Sequence, residues 1–211
     1  AAADPLNFDF NVVAGGATSS VLVVSVANNG SIGVIGVTYA SVALTKRVTC
    51  GGNMVCEIWS LNNPPTGNNT LSVDMNGSTN VSAVAIHYNG ASGTTSSSHL
   101  GGTATGGSGV GATASTLDVT GTNSASIVQD MVVTVADAGD FVAGAGQTER
   151  GEVLATHDHA GSTEAGGGTV TMSWTWSTAR EYSTGAMEIQ SGAEPEVAVV
   201  PVVTPIIWFE D

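Results

Sequence analysis

Ser20–Ala27 reads SVLVVSVA, and it runs into Asn28-Asn29-Gly30. Apart from Ser20 and Ser25 every side chain in it is aliphatic, and half of them are valine. β-Branched residues suit a pleated surface and lose rotamer freedom in a helix. A short apolar run closed by Asn-Asn-Gly therefore predicts a strand in the middle of a sheet, followed by a turn.

Working outward, the same period-2 signal recurs. Asn7–Val13 is a strand candidate before it. Val34–Tyr39 and Val42–Val48 follow it, joined tightly at Ala40-Ser41. Val55–Leu61 comes next, then the Asn-Asn-Pro-Pro-Thr-Gly loop, then Thr70–Met75. Val81–Tyr88 (VSAVAIHY) alternates well and reads as a core strand. Residues 90–115 are rich in Gly, Ser and Thr and read as a long loop, with flat strand as the alternative for parts of it. Leu117–Val119, Ile127–Ala136, Glu152–His157 and Thr169–Trp176 are further candidates, and Thr184–Ile189 closes the series. Short strands separated by turn residues predict an all-β chain, a single antiparallel β-sandwich of jelly-roll or Ig-like type over residues 1–191. No internal repeat stands out.

Composition agrees. The chain has 211 residues, 42% of them hydrophobic, enough for a core, but only 10% charged. Its polar surface must come from Ser, Thr, Asn and Gly, which are poor helix formers. Four basic residues (Lys46, Arg47, Arg150, Arg180) stand against eighteen acidic ones, a net charge of −14. That excess argues against nucleic acid, whose phosphates need Lys and Arg, and against anionic membranes. It suits a soluble particle that repels its like, divalent cations, or a salty medium. No apolar run reaches the ~18–20 residues of a membrane span. The opening Ala1-Ala2-Ala3-Asp4-Pro5 reads as a mature N-terminus left after signal-peptide removal. Cys50 and Cys56 flank a Gly-Gly-Asn turn, which suggests a short hairpin disulfide and an oxidising, extracellular setting.

Several stretches resemble a β-sandwich domain common in secreted and surface-attached bacterial and archaeal proteins. They are SSVLVVSVAN (19–28), VTYASVALTKRVT (37–49), CEIWSLNNPPTGNNTLSV (56–73), VSAVAIHYNG (81–90), GAGQTER (144–150) and VTMSWTWSTAREYSTGAMEIQ (170–190). The resemblance spans residues 7–190. It implies a module without a common catalytic motif, often repeated in large extracellular proteins. It does not reach the tail or explain the cysteines.

The tail, 192–211, changes character. After a polar hinge it reads VAVVPVVTPIIWF at 197–209. Pro201 and Pro205 forbid a stable helix and a strand paired on both edges. The apolar side chains Val197, Val199, Val200, Val202, Val203, Ile206, Ile207, Trp208 and Phe209 need cover. Three fates fit: insertion into a neighbouring copy as a donated strand, packing onto its own domain, or service as a sorting signal. Residues 1–10 are a second candidate for an exchanged strand. Head-to-tail donation does not close and so builds a filament.

The remaining motifs each have a bland reading. His157 and His159 would share a strand face, with Glu152 and Glu164 nearby, and imidazoles suit zinc or copper; a polar loop is the plainer reading. His87 reads as a satisfied core or edge histidine, and His99 sits in a Ser-rich loop. Asp74, Asp118, Asp130, Asp137 and Asp140 offer oxygens to calcium, without any known calcium-loop pattern, and no other cofactor is indicated. Trp174 and Trp176 share a face and, with Trp59 and Tyr182, suggest either core packing or a sugar-stacking platform. Asn29, Asn68, Asn76 and Asn80 open glycosylation sequons. No nucleophile elbow, zinc-protease motif or Cys/His pair is present, and a carboxylate pair is easy to imagine among eighteen acids. The expectation is a non-enzymatic, pilus-like subunit of an extracellular filament or surface layer. Its partners are copies of itself, and its setting is adhesion or a biofilm. The alternative is a carbohydrate-binding or adhesive module.

Overall fold

A computed structural model describes residues 5–14, 19–28, 30, 32–50, 52–77, 80–91, 100–135, 138–154, 156–191 and 202–204. The chain is an all-β antiparallel sandwich, with three quarters of the described residues in strands and none in helices. Its strands are β1 (Leu6–Val12), β2 (Ser20–Asn28), β3 (Val34–Tyr39), β4 (Val42–Ala43), β5 (Thr45–Thr49), β6 (Val55–Asn62), β7 (Gly67–Met75) and β8 (Ser82–Asn89). Then come β9 (Leu100–Thr122), β10 (Ile127–Val135), β11 (Val142–Ala143), β12 (Thr148–Val153), β13 (His157–Ala165), β14 (Gly168–Ile189) and β15 (Val202–Thr204).

The strands form three sheets, in the orders β1-β7-β3-β4, β15-β8-β2-β6-β5 and β11-β14-β10-β13-β12, with β9 added along β14. The second sheet lies between the other two, and β2 shows why. Its side chains alternate between two cores. Leu22, Val24 and Val26 join Leu6, Phe8, Phe10, Tyr39, Leu71 and Val73 of the first sheet. Val21, Val23 and Ala27 join Met131, Val133, Met187 and Ile189 of the third. A strand buried on both faces needs an unbroken apolar run, which SVLVVSVA supplies. β8 does the same, with Ala83 and Ala85 in the first core and Val84, Ile86 and Tyr88 in the second. β1 is buried on one face only, so Leu6, Phe8, Phe10 and Val12 alternate with exposed Asn7, Asp9 and Asn11. Burying each large apolar side chain contributes about 1.5–3 kcal/mol.

Three strand expectations change. Val42–Val48 is not one strand: the chain leaves the first sheet at β4, buries Leu44 in the first core, and enters the second sheet as β5. Glu152–His157 contains a break, because β12 ends at Val153 and His157 begins β13. Thr169–Trp176 and Thr184–Ile189 are the two halves of β14. The ladder between β14 and β9 shifts register around Thr175, Arg180 and Tyr182, and bulges there bend the strand. Val170, Met172 and Ala186 thus meet in one cluster with Val128 and Val119, although Val170 and Ala186 would stand ~50 Å apart on a straight strand. The long segment from 100 onward, read mostly as loop, is strand throughout and pairs along β14.

The hairpin between β3 and β4 turns through Ala40 and Ser41, both at positive φ (49° and 65°). This two-residue geometry matches strand twist, and Asn-Gly suits it best. Cys50 and Cys56 form a disulfide with Cα atoms 5.2 Å apart, and both half-cystines are buried in the second core.

Candidate functional site: the open edge of the middle sheet

Among the described strands of residues 1–191, β8 is the last strand of the middle sheet on this side, and only β15 lies beyond it. One side of β8 pairs with β2 over eight residues, Ser20↔Asn89 through Ala27↔Ser82. Its other side would be bare but for β15. There Val202, Val203 and Thr204 pair antiparallel with His87, Ile86 and Ala85. A long, apolar, uncharged edge strand is the kind that recruits another strand, and every β8 side chain from Ser82 to Tyr88 is buried. Of the tail residues singled out in the sequence, Val202 and Val203 therefore take part in a backbone ladder on the chain's own β8. Val197, Val199, Val200, Ile206, Ile207, Trp208 and Phe209 lie outside the described residues.

His87 sits at this edge. Its side chain is 1% exposed, and neither ring nitrogen has a hydrogen-bond partner. It is a core histidine, as the sequence suggested, but not a satisfied one. Burial lowers its pKa.

His157 and His159 do share a face of β13, and they converge on one hydroxyl. Ser82 Oγ lies 2.7 Å from His157 Nε2 and 3.0 Å from His159 Nδ1. A hydroxyl can donate to one neutral imidazole and accept from the other. Burial pushes the two imidazoles down, His157 to about 4 and His159 to about 3. A serine that close to an imidazole has the spacing of an activated nucleophile. At 2% exposure, between two sheets, it gives a substrate no approach.

Glu152 and Glu164 do not join the histidines. Glu152 Oε1 accepts the Phe141 amide on the opposite face of the sheet, and Glu164 pairs with Val128, whose side chain lies in the outer cluster. Among the described residues no group of three or more His, Cys, Asp or Glu is placed to hold a metal ion. Asp74, Asp118 and Asp130 stand on three separate strands, β7, β9 and β10, and Asp140 is exposed in the turn before β11. Asp137 and His99 lie outside the described residues.

Asp130 is fully buried, and both its oxygens are taken. Oδ1 accepts the Ser162 amide at 2.8 Å and the Ser162 hydroxyl at 2.7 Å, and Oδ2 accepts Trp174 Nε1–H at 2.7 Å. Burial outweighs these donors and pushes its carboxyl up to about 7. The same tryptophan decides the fate of the sugar platform. Trp174 and Trp176 are 1% and 5% exposed, and both meet Phe141 edge-on. Trp59 is buried under Lys46, whose Nζ stands 5.2 Å from its ring. These rings have no free face for a sugar, so of the two readings, core packing or a stacking platform, the structure shows core packing.

Asn68 and Asn76 are exposed, Asn80 is half-buried beside buried Ser82, and Asn29 lies outside the described residues. No helix among the described residues is long and apolar enough to cross a membrane. Sequence reasoning missed Ser82 and the Asp130–Ser162–Trp174 set. Only a polar residue inside an apolar strand pointed to either. No protein-family model, no curated protein and no solved structure matches the chain. Function is therefore read from the molecule alone.

Proposed function

We propose that the chain is a structural subunit of an extracellular filament or surface layer, joined to its neighbours by exchange of the tail strand. One observation carries this reading. The apolar edge of β8 is paired by a three-residue strand from the tail, and ten residues separate that strand from Ser191 at the end of the sandwich. A strand held by so few ladder bonds on a tether of that length can dock on its own β8 or on a neighbour's, since the contacts are identical in both. The low charge, the disulfide and the net −14 fit an exported, soluble particle. Swapping tail for tail in one direction leaves a free β8 at one end and a free tail at the other, so the assembly grows.

Deleting residues 192–211 tests it. The expected result is loss of filaments by negative-stain electron microscopy, with monomers that associate weakly through the bared β8 edge. Normal filaments from the truncated chain would sink the proposal.

A further inference from the structure

We infer that His87 is an acid-operated release for the tail strand, so that docking is favoured at neutral pH and strand exchange in mildly acidic medium. This inference rests on the strand-exchange reading above and adds its regulation. His87 is the Cα partner of Leu22 on one side and of Val202 on the other. Its imidazole points, with Ala85, toward the first core. The groups that line this core are apolar: Leu22 and Val24 from β2, Phe8 and Phe10 from β1, Leu71 and Val73 from β7. Its titratable members are few. The Tyr39 hydroxyl donates to the carbonyl of Phe10 or Gly67. Glu57 is held by Lys46 at 2.9 Å on β6 and β5, at the far side of the sheet. The tail strand, Val202–Thr204, brings no charge. None of these groups can neutralise an imidazolium at His87.

A buried imidazole with both nitrogens unpaired already loses hydrogen bonds it would make in water. Protonated, it becomes an unpaired buried cation, which a fold avoids by opening toward solvent. The two neighbours of β8 differ in what opening costs. β2 is paired along its length on both sides. β15 is three residues long, and Pro201 and Pro205 bracket it without an N–H to extend the ladder. Releasing β15 is thus the least costly way to hydrate His87. Burial depresses the histidine in the docked state, and in the released state it titrates near its ordinary ~6.5. Docking is then fully present above ~6.5 and weakens by up to about tenfold per pH unit below it.

Hydrogen–deuterium exchange on the full chain tests this, with rates corrected for intrinsic chemistry at each pH. The readout is the opening constant for 202–204 relative to that for Met131–Val133 in β10, which reports general loosening. The expected result is a rise of up to about fivefold between pH 6.5 and 5.5 in the wild type, absent in His87→Leu and in His87→Met. A flat wild-type profile, or the same rise in both variants, overturns the inference. If the tail-deleted chain still forms normal filaments while the His87-dependent rise persists, the release stands and the strand-exchange reading falls.

Discussion

Ser82 holds its hydroxyl oxygen 2.7 Å from Nε2 of His157, tying the start of β8 to β13 across the second core. The same oxygen serves His159 at 3.0 Å. Both imidazoles are buried and held neutral, with pKa values lowered to about 4 and about 3. An unfolded chain takes up those protons near pH 6.5 and the folded one does not. Their contribution is therefore present above pH 6.5 and is lost as pH falls through 4 and 3. For His157 alone, at roughly 1.4 kcal/mol per unit, the loss amounts to about 3 kcal/mol. Urea midpoints should fall steeply from pH 7 to pH 4.5, and the His157→Gln, His159→Gln double variant should show a flatter profile. A wild-type midpoint that does not change over this range would refute the assignment.

Asp130 pulls the other way. Its carboxyl titrates near 3.8 when unfolded and near 7 when folded, so its contribution is greatest at low pH and declines as pH rises from about 4 to 7. Asp130→Asn keeps an acceptor for Ser162 but turns an amide N–H2 toward Trp174 Nε1–H. At pH 5 the variant should be less stable by about 1–3 kcal/mol, the cost of one broken buried bond. By pH 8 the gap should narrow, because the wild type then carries a buried charge and the variant does not. Denaturation curves at both pH values check this, and a gap that widens with pH would contradict it.

How much of this is legible in the sequence follows from what each strand buries. Val34–Tyr39 is legible residue for residue from its alternation, which buries Val37 and Tyr39, and β2 and β8 within one residue because they are runs buried on both faces. β9 is nearly invisible. Among its described side chains the buried ones include Ser115, Val119 and Thr122, mostly small or polar, so the strand has no apolar alternation to detect. β13 reads HDHAGSTEA, and seven of its nine residues are buried without a large aliphatic among them. Its partners explain why: Ser82 and Asp130 lie far away in the chain and supply the hydrogen bonds that make polar burial tolerable. Such pairings leave no local signal. The bend of β14 escapes detection for a different reason: the two strand patterns stop on either side of Ser177–Glu181, where the ladder with β9 shifts register and pairs only Arg180↔Ala112 between Thr175 and Tyr182.

Trp174 measures the outer core. It is 1% exposed, packs on Phe141 with ring centroids 5.9 Å apart, and donates to Asp130. Trp174→Ala should lose about 3–5 kcal/mol and leave Asp130 short of a donor. Trp174→Phe should cost less, keeping the packing and losing the bond. A surface platform would behave differently, with Trp174→Ala leaving stability unchanged. Thermal unfolding of both variants separates the two cases.

The β3–β4 hairpin offers a gain of stability. Ala40 and Ser41 both adopt left-handed backbone, a conformation costing an ordinary L-residue roughly 1–2 kcal/mol and glycine almost nothing. The turn survives because Leu44, just beyond it, is buried in the first core and its amide bonds to the Val37 carbonyl at 2.8 Å. Ala40 also donates its amide to the Thr70 carbonyl on β7 at 3.0 Å, so the turn is held from outside. An Asn-Gly pair at these two positions would favour the same geometry locally. The Ala40→Asn, Ser41→Gly double variant should gain about 1 kcal/mol, seen as a Tm rise of roughly 2–4 °C. A fall in Tm would mean that the Cβ atoms removed or altered there make packing contacts worth more than the backbone strain they impose.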